Sequence, residues 1–434
     1  MIGTTFKAIY VLLDGVGDLP HPSLEGSTPL EAAHTPSLDR LAMKGSTGRV
    51  VSVGKGIAPQ SDIAVFNMLG YDFKDMAYPG RGVVEALGAG MDFTNGDLAL
   101  RGNFATIDRT GEIIDRRAGR IITKDEAVEI CRTLEENVKF QAGDIKLSLQ
   151  PTIGHRVIVK FRQFSDELSD KISNTDPAYD RINGMGIAKS EISMKIQECV
   201  PQEVGQSALT SAQIVNEFNR QTIEILEKHP VNIRRIAKGL NPMNSILLRD
   251  SGNRLPVLES IERRYGLKFG SVVDMPVEIG ISKVIGMEFT TDGDIDAYEE
   301  KARKCLEKIE AGDLDVVYVH LKGPDEFGHD GDAIGKKKSI EEIDSRFFGL
   351  LLGHLDLSTT MLVISGDHCT PCIQKAHTDD PIPILFTGAR AQSDGSKRFT
   401  EAESLKGSKG LMRGSDILPT ISGLFGKSGK RANT

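Results

Sequence analysis

The chain has 434 residues, 39% apolar and 26% charged, which excludes global disorder and fibrous classes and leaves room for two or three domains or one large domain with an insertion. Its 53 basic and 61 acidic residues leave a net charge of −8, which argues against a broad nucleic-acid surface but leaves a small anionic ligand open. No stretch approaches the roughly 18 uncharged apolar residues of a membrane helix, the apolar run 6–13 is too short for a secretory signal, and five cysteines form no disulfide framework, so the expected compartment is the cytoplasm.

In chain order, residues 8–13 (AIYVLL) form a continuous apolar run that stops on Asp14, as expected of a parallel strand covered on both faces. Pro59 and Gln60 predict a turn. Ile63, Phe66 and Leu69 then recur at helical spacing, which puts Ser61 at a helix N-terminus, suited to an N-cap, to phosphate binding, or to both. Residues 102–108 and 156–161 read as short strands and 165–193 as a polar loop region. Arg101, Arg116, Arg117, Arg120, His155 and Arg156 cluster here in an otherwise acidic chain, and such forks suit phosphate or carboxylate. Residues 294–311 and 334–354 read as helices, with Lys336 to Lys338 expected on a solvated face. The apolar run 314–319 leads to His320, and 361–364 leads through Ser365 and Gly366 to Asp367 and His368. This alternation predicts an α/β fold, a doubly wound, mostly parallel sheet. Residues 1–75 and 241–434 are expected to form the catalytic core, and 76–240 an inserted α+β lid domain.

Open parallel sheets place their sites at the carboxyl ends of strands. Asp325 and His329 stand four apart, on one face if helical, and His377 follows His368 in a polar loop. With Asp14, Asp367 and His368 they supply three carboxylates and three imidazoles, enough for two divalent ions, and mixed oxygen and nitrogen ligation suits manganese or zinc better than magnesium. Such a pair would clamp a phosphoryl group, with Ser61 as the natural nucleophile. Competing motifs fail: Glu85 stands where the dinucleotide fingerprint needs a small residue, no phosphate loop ends in Gly-Lys-Ser/Thr, and Cys369 and Cys372 lack a second cysteine pair.

These residues and their surroundings resemble the alkaline phosphatase superfamily of metalloenzymes and, more narrowly, the archaeal-type cofactor-independent phosphoglycerate mutases. The resemblance rests on LLDGVGD around Asp14, QSDIAVFNMLGYD around Ser61, YPGRGVVEALGAGMD from Tyr78, RGNFATID from Arg101, IIDRRAGRI from Ile113, NSILLRDSG from Asn244, HLKGPDEFGHDGD from His320 and SGDHCTPC from Ser365. It implies an alkaline-phosphatase-like core and two divalent ions, one held by Asp325, His329 and His377 and the other by Asp14, Ser61, Asp367 and His368. Manganese is the first expectation, with zinc, cobalt or magnesium as alternatives. It implies interconversion of 3-phosphoglycerate and 2-phosphoglycerate in glycolysis and gluconeogenesis through a phosphoserine, without bisphosphoglycerate. Substrate contacts are expected at Arg101, Arg116, Arg120, His155, Arg156, Arg249 and Lys322, with neither nucleic acid nor membrane as partner. The sequence departs from the usual pattern at Ala58-Pro59-Gln60, at Cys369 in place of a serine, and in ISNTDPAY, which lacks a histidine after the proline. A phosphatase or another phosphomutase of the same superfamily is the alternative, because metals and Ser61 specify phosphoryl transfer but not the acceptor.

Overall fold

A computed structural model of the chain describes residues 6–72, 78, 80–182, 185–189, 193–291 and 294–427. The chain divides into two units: Met1–Met76, Leu258–Asp274 and Ile281–Thr434 form the first, and Ala77–Val257 with Met275–Gly280 the second.

The first unit is built on an eight-stranded sheet in the order Glu288–Thr290, Phe269–Val272, Val316–Leu321, Lys7–Leu13, Thr360–Gly366, Ile382–Gly388, Ser46–Val51, Leu411–Arg413. Every pairing is parallel except the two made by Ile382–Gly388. Lys7–Leu13 pairs with Val316–Leu321 on one side and Thr360–Gly366 on the other, and Leu13 lies opposite both Leu321 and Gly366. The three strands therefore end at one level. All three are buried along their whole length, which is why their middles read as apolar runs. Ile9 and Val11 join Val317, Val319, Leu362 and Ile364 in a core shared with Ile340, Phe347 and Phe348, while Tyr10 and Tyr318 alternate to the other face, their rings 5.9 Å apart.

The helix expected over 294–311 begins at Tyr298 and ends at Ala311, and that over 334–354 runs as Ala333–Glu342, a π-helical segment Ile343–Phe348 and Gly349–His354. The lysine run does not form a solvated face. Lys336 is fully buried, its ammonium donating to Asp18 Oδ2 at 2.8 Å and to the carbonyls of Gly17 and Thr370 at 2.9 Å. Helical spacing puts it on the stripe of Ile340, Ile343 and Phe347, and only Lys337 and Lys338 turn away.

The second unit carries an antiparallel sheet of Ile113–Asp115, Leu98–Ile107, Arg156–Gln163 and Ile145–Pro151, with Ser245–Gly252 also paired to Leu98–Ile107. Helices Lys124–Asn137 and Gln206–Glu227 bury Ile130, Leu134, Val215 and Phe218 against Leu100, Val157, Val159 and Phe161. Because Ser245–Gly252 pairs here, this unit continues to Val257 rather than closing at residue 240; the boundary expected at 75/76 lies outside the described residues. The stretch read as loop contains a hairpin, Tyr179–Ile182 with Met185–Ala188. Among the described residues no helix is long and apolar enough to cross a membrane, and all five cysteines are buried thiols.

Candidate active site

Three neighbouring strand ends deliver the polar residues of the first unit. Asp14 follows Lys7–Leu13, Asp367 and His368 follow Thr360–Gly366, and Val316–Leu321 leads into the short helix Pro324–Asp330, which carries Asp325 and His329 on one face. Gly15, at φ +60°, donates its amide to Asp367 Oδ1 at 2.9 Å. A Cβ there would stand 2.7 Å from Thr370 Oγ1 and 2.8 Å from Asp325 Oδ1, so only glycine lets these loops close together.

The side chains form two clusters. In one, His377 Nε2 lies 3.3 Å from Asp325 Oδ1 and 3.1 Å from His329 Nε2, with His329 Nε2 3.6 Å from Asp325 Oδ2. In the other, His368 Nε2 lies 3.1 Å from Ser61 Oγ, 3.3 Å from Asp367 Oδ2 and 3.6 Å from Asp14 Oδ1. Donor atoms bound to one ion at about 2.1 Å stand roughly 3.0–3.4 Å apart, so both spacings suit a shared cation. Buried Asp14 Oδ1 and Asp367 Oδ2 have no hydrogen-bond partner among the described residues, an arrangement that is costly unless a cation completes it.

The electrostatics agree. Burial and the charge of Asp14 push the Asp367 carboxyl up to about 7, and burial with His377 holds the His368 imidazolium far below its usual range. Burial opposes the charged form of His377, yet its hydrogen bond with Asp325 and that carboxylate's charge raise it to about 9; the same histidines hold Asp325 well below the usual carboxylate range against its burial. The second cluster, with two buried carboxylates facing each other, thus carries an imbalance that a divalent cation would correct, whereas in the first Asp325 finds its counter-charge on His377.

Ser61 opens the helix Ser61–Met68, in which every residue is buried. Gln60 occupies the cap position and Ser61 is the first helical residue, so the serine is not the N-cap; its hydroxyl faces His368 instead. Lys322 Nζ stands 3.0 Å from Asp14 Oδ2, inside the same cluster.

The second unit gathers most of the arginines singled out from the sequence. Buried Glu85 meets Arg81 Nε at 2.7 Å and Arg101 Nε at 3.5 Å. Buried Asp176 accepts two bonds from Arg116, at 2.6 and 2.7 Å, and one from Arg249 at 2.7 Å, and both guanidinium groups lie over the Tyr179 ring, Arg249 at 4.1 Å and Arg116 at 5.4 Å. Burial, then Arg156, Arg117, Arg101 and Arg249, depresses His155 to about 2, so its ring is neutral among cations. Burial with Arg81 and Arg249 lowers even Arg101 to about 9. Arg120 is exposed, at φ +60°, on the turn after Ile113–Asp115.

Residues 42–232 match the family model described as 2,3-bisphosphoglycerate-independent phosphoglycerate mutase. A curated mutase of that description from Aeropyrum pernix is 40% identical over 432 residues, covering 97% of this chain and 100% of its own. The chain belongs to the 2,3-bisphosphoglycerate-independent phosphoglycerate mutase family. Its members are isomerases, in agreement with the reading of the motifs. The relative from Methanoculleus marisnigri is 37% identical over 98% of both chains. Among solved structures, a Pyrococcus horikoshii protein superposes with a TM-score of 0.76 at 29% identity over 99% of both chains, and the cofactor-independent phosphoglycerate mutase of Thermoplasma acidophilum with 0.61 at 29%, covering 97% of this chain and 100% of that one.

Two side chains stand out that the expected ligand and substrate sets leave out, His320, named only as the residue a strand leads to, and Arg81. His320 Nε2 lies 3.6 Å from Asp367 Oδ2 and 3.9 Å from Asp14 Oδ1, close enough to join their cluster. It sits inside a strand, where an imidazole reads as core; its place one residue before the strand end was the available signal. Arg81 lies in the segment set aside as a failed dinucleotide motif, where its four-residue spacing to Glu85 was legible.

Proposed function

We propose that this chain interconverts 3-phosphoglycerate and 2-phosphoglycerate without bisphosphoglycerate, in the cytoplasm, as a step of glycolysis and gluconeogenesis, through a phosphoserine on Ser61. The observation that carries this reading is the 3.1 Å approach of Ser61 Oγ to His368 Nε2 inside a buried carboxylate and imidazole cluster. Two divalent ions, manganese first, held by Asp325, His329 and His377 and by Asp14, Ser61, Asp367 and His368, would supply Lewis acidity at the phosphoryl oxygens. Ser61 Oγ attacks phosphorus, the bond from phosphorus to the glycerate oxygen breaks with that oxygen gaining the proton the serine hydroxyl gives up, and the phosphoryl group rests on Ser61 at the positive end of its helix. Lys322 places its ammonium against the gathering negative charge. The glycerate then turns, and its other hydroxyl takes the group back. The second unit serves as the substrate-binding lid, and its forks, Arg101, Arg116, Arg120, Arg156 and Arg249 with neutral His155, hold the carboxylate and phosphate of the substrate.

The test is incubation of metal-loaded protein with 3-phosphoglycerate, following 2-phosphoglycerate and free phosphate by phosphorus NMR. The expected result is 2-phosphoglycerate without added bisphosphoglycerate and phosphate on Ser61 in protein quenched during turnover. Release of free phosphate as the main product would replace the mutase with a phosphatase. Turnover by Ser61→Ala at a comparable rate would remove the phosphoserine.

A further inference from the structure

A single hydroxyl touches both clusters. Thr370, fully buried two residues after His368, donates from Oγ1 to Asp325 Oδ1 at 2.7 Å and lies 3.0 Å from His368 Nδ1. An ionised carboxylate only accepts, so the hydroxyl proton is committed to Asp325 and the oxygen's lone pair must receive from the ring. His368 then carries its proton on Nδ1 and turns the bare Nε2 toward Ser61, Asp367 and Asp14. The hydroxyl has little freedom to do otherwise. The Thr370 amide donates to Gly17 O at 3.0 Å, and the Thr370 carbonyl accepts from buried Lys336 at 2.9 Å. A Cβ on Gly15 would fall 2.7 Å from Thr370 Oγ1, and one on Gly328 would fall 2.8 Å from Thr370 Cγ2, so the surrounding backbone is cut to admit this side chain.

We propose that Thr370 is a positioning residue that couples the two metal clusters, its one hydroxyl fixing the orientation of Asp325 in the first and the tautomer of His368 in the second. The proposal rests on the two-metal reading above. Loss of the hydroxyl should weaken both sites at once, because a partner in the second rank of a metal site commonly governs affinity by roughly 10- to 100-fold.

Calorimetric titration of chelator-stripped protein with manganese tests it, beside Thr370→Val, which keeps the volume and removes the hydroxyl, and Thr370→Ser, which keeps the hydroxyl. Wild type should take up two ions, Thr370→Val should bind both about tenfold or more weakly, and Thr370→Ser should restore both. Nitrogen-15 NMR of the metal-free protein should find the His368 proton on Nδ1 in wild type and Thr370→Ser, with that preference lost in Thr370→Val. If Thr370→Val fails to fold, Thr370→Ala offers the same hydroxyl deletion in a smaller side chain. Undiminished binding at both sites, weakening at one site alone, or a serine variant as poor as the valine overturns the coupling while the two-metal reading stands. Wild type that binds no ion overturns both.

Discussion

Glu85 is a carboxylate whose burial alone would raise it, yet Arg101 and Arg81 hold it down at about 2. An unfolded glutamate titrates near 4.3, so between roughly pH 4.3 and 2 the unfolded chain binds more protons. The stabilisation is therefore complete above about pH 4.5 and is lost as the pH falls toward 2. Glu85→Gln should cost about 3 kcal/mol near neutral pH and flatten the fall in stability on the acid side, read from urea unfolding at pH 6 and pH 3. Parallel pH profiles for the two proteins would contradict this. At this scale the sequence was legible wherever a polar side chain interrupts an apolar run, as Asp14, Asp367 and His368 do at strand ends. Lys336 was illegible because its burial depends on Asp18, contributed from the far end of the chain.

Among elements, Ala333–Glu342 is fixed to the loops beyond two strands by that one ammonium, which reaches Gly17, Asp18 and Thr370 together. Lys336→Met would leave the Asp18 carboxylate buried without its cation and should cost about 3–5 kcal/mol, visible as a lowered Tm. Asp18→Asn in the same chain should recover part of the loss, and an unchanged Tm for the single variant would refute the role. The helix Ser61–Met68 offers a second measure. Phe66, wholly buried and edge-on to Tyr71 with centroids 6.4 Å apart, should cost about 3–5 kcal/mol as Phe66→Ala. Elements were readable where periodicity is local: the strand expected over 8–13 is found as Lys7–Leu13. Ser245–Gly252 was assigned to the wrong unit because its partner, Leu98–Ile107, is remote in sequence and nothing within the strand records the pairing. The hairpin at Tyr179–Ile182 was overlooked even though Asn183-Gly184, the dipeptide favoured in tight hairpin turns, stands between its strands in the sequence.

For the molecule as a whole, every residue of the two carboxylate and imidazole clusters belongs to the first unit, and the arginine cluster to the second. Calorimetric unfolding should therefore separate into two transitions, with chelation lowering the one that belongs to the first unit and leaving the other in place. Equal shifts in both would mean that the ions are held elsewhere. The order of the strands also bears on how the protein is made. Lys7–Leu13 lies between Val316–Leu321 and Thr360–Gly366, so of these three strands the earliest made must wait for residue 316 before its first neighbour exists. At ordinary elongation rates that wait is roughly a quarter of a minute to a minute, during which most of the second unit has already emerged. Through that interval the apolar run of residues 8–13 stands unpaired, a natural client for chaperones and the point from which the nascent chain would aggregate if they were scarce.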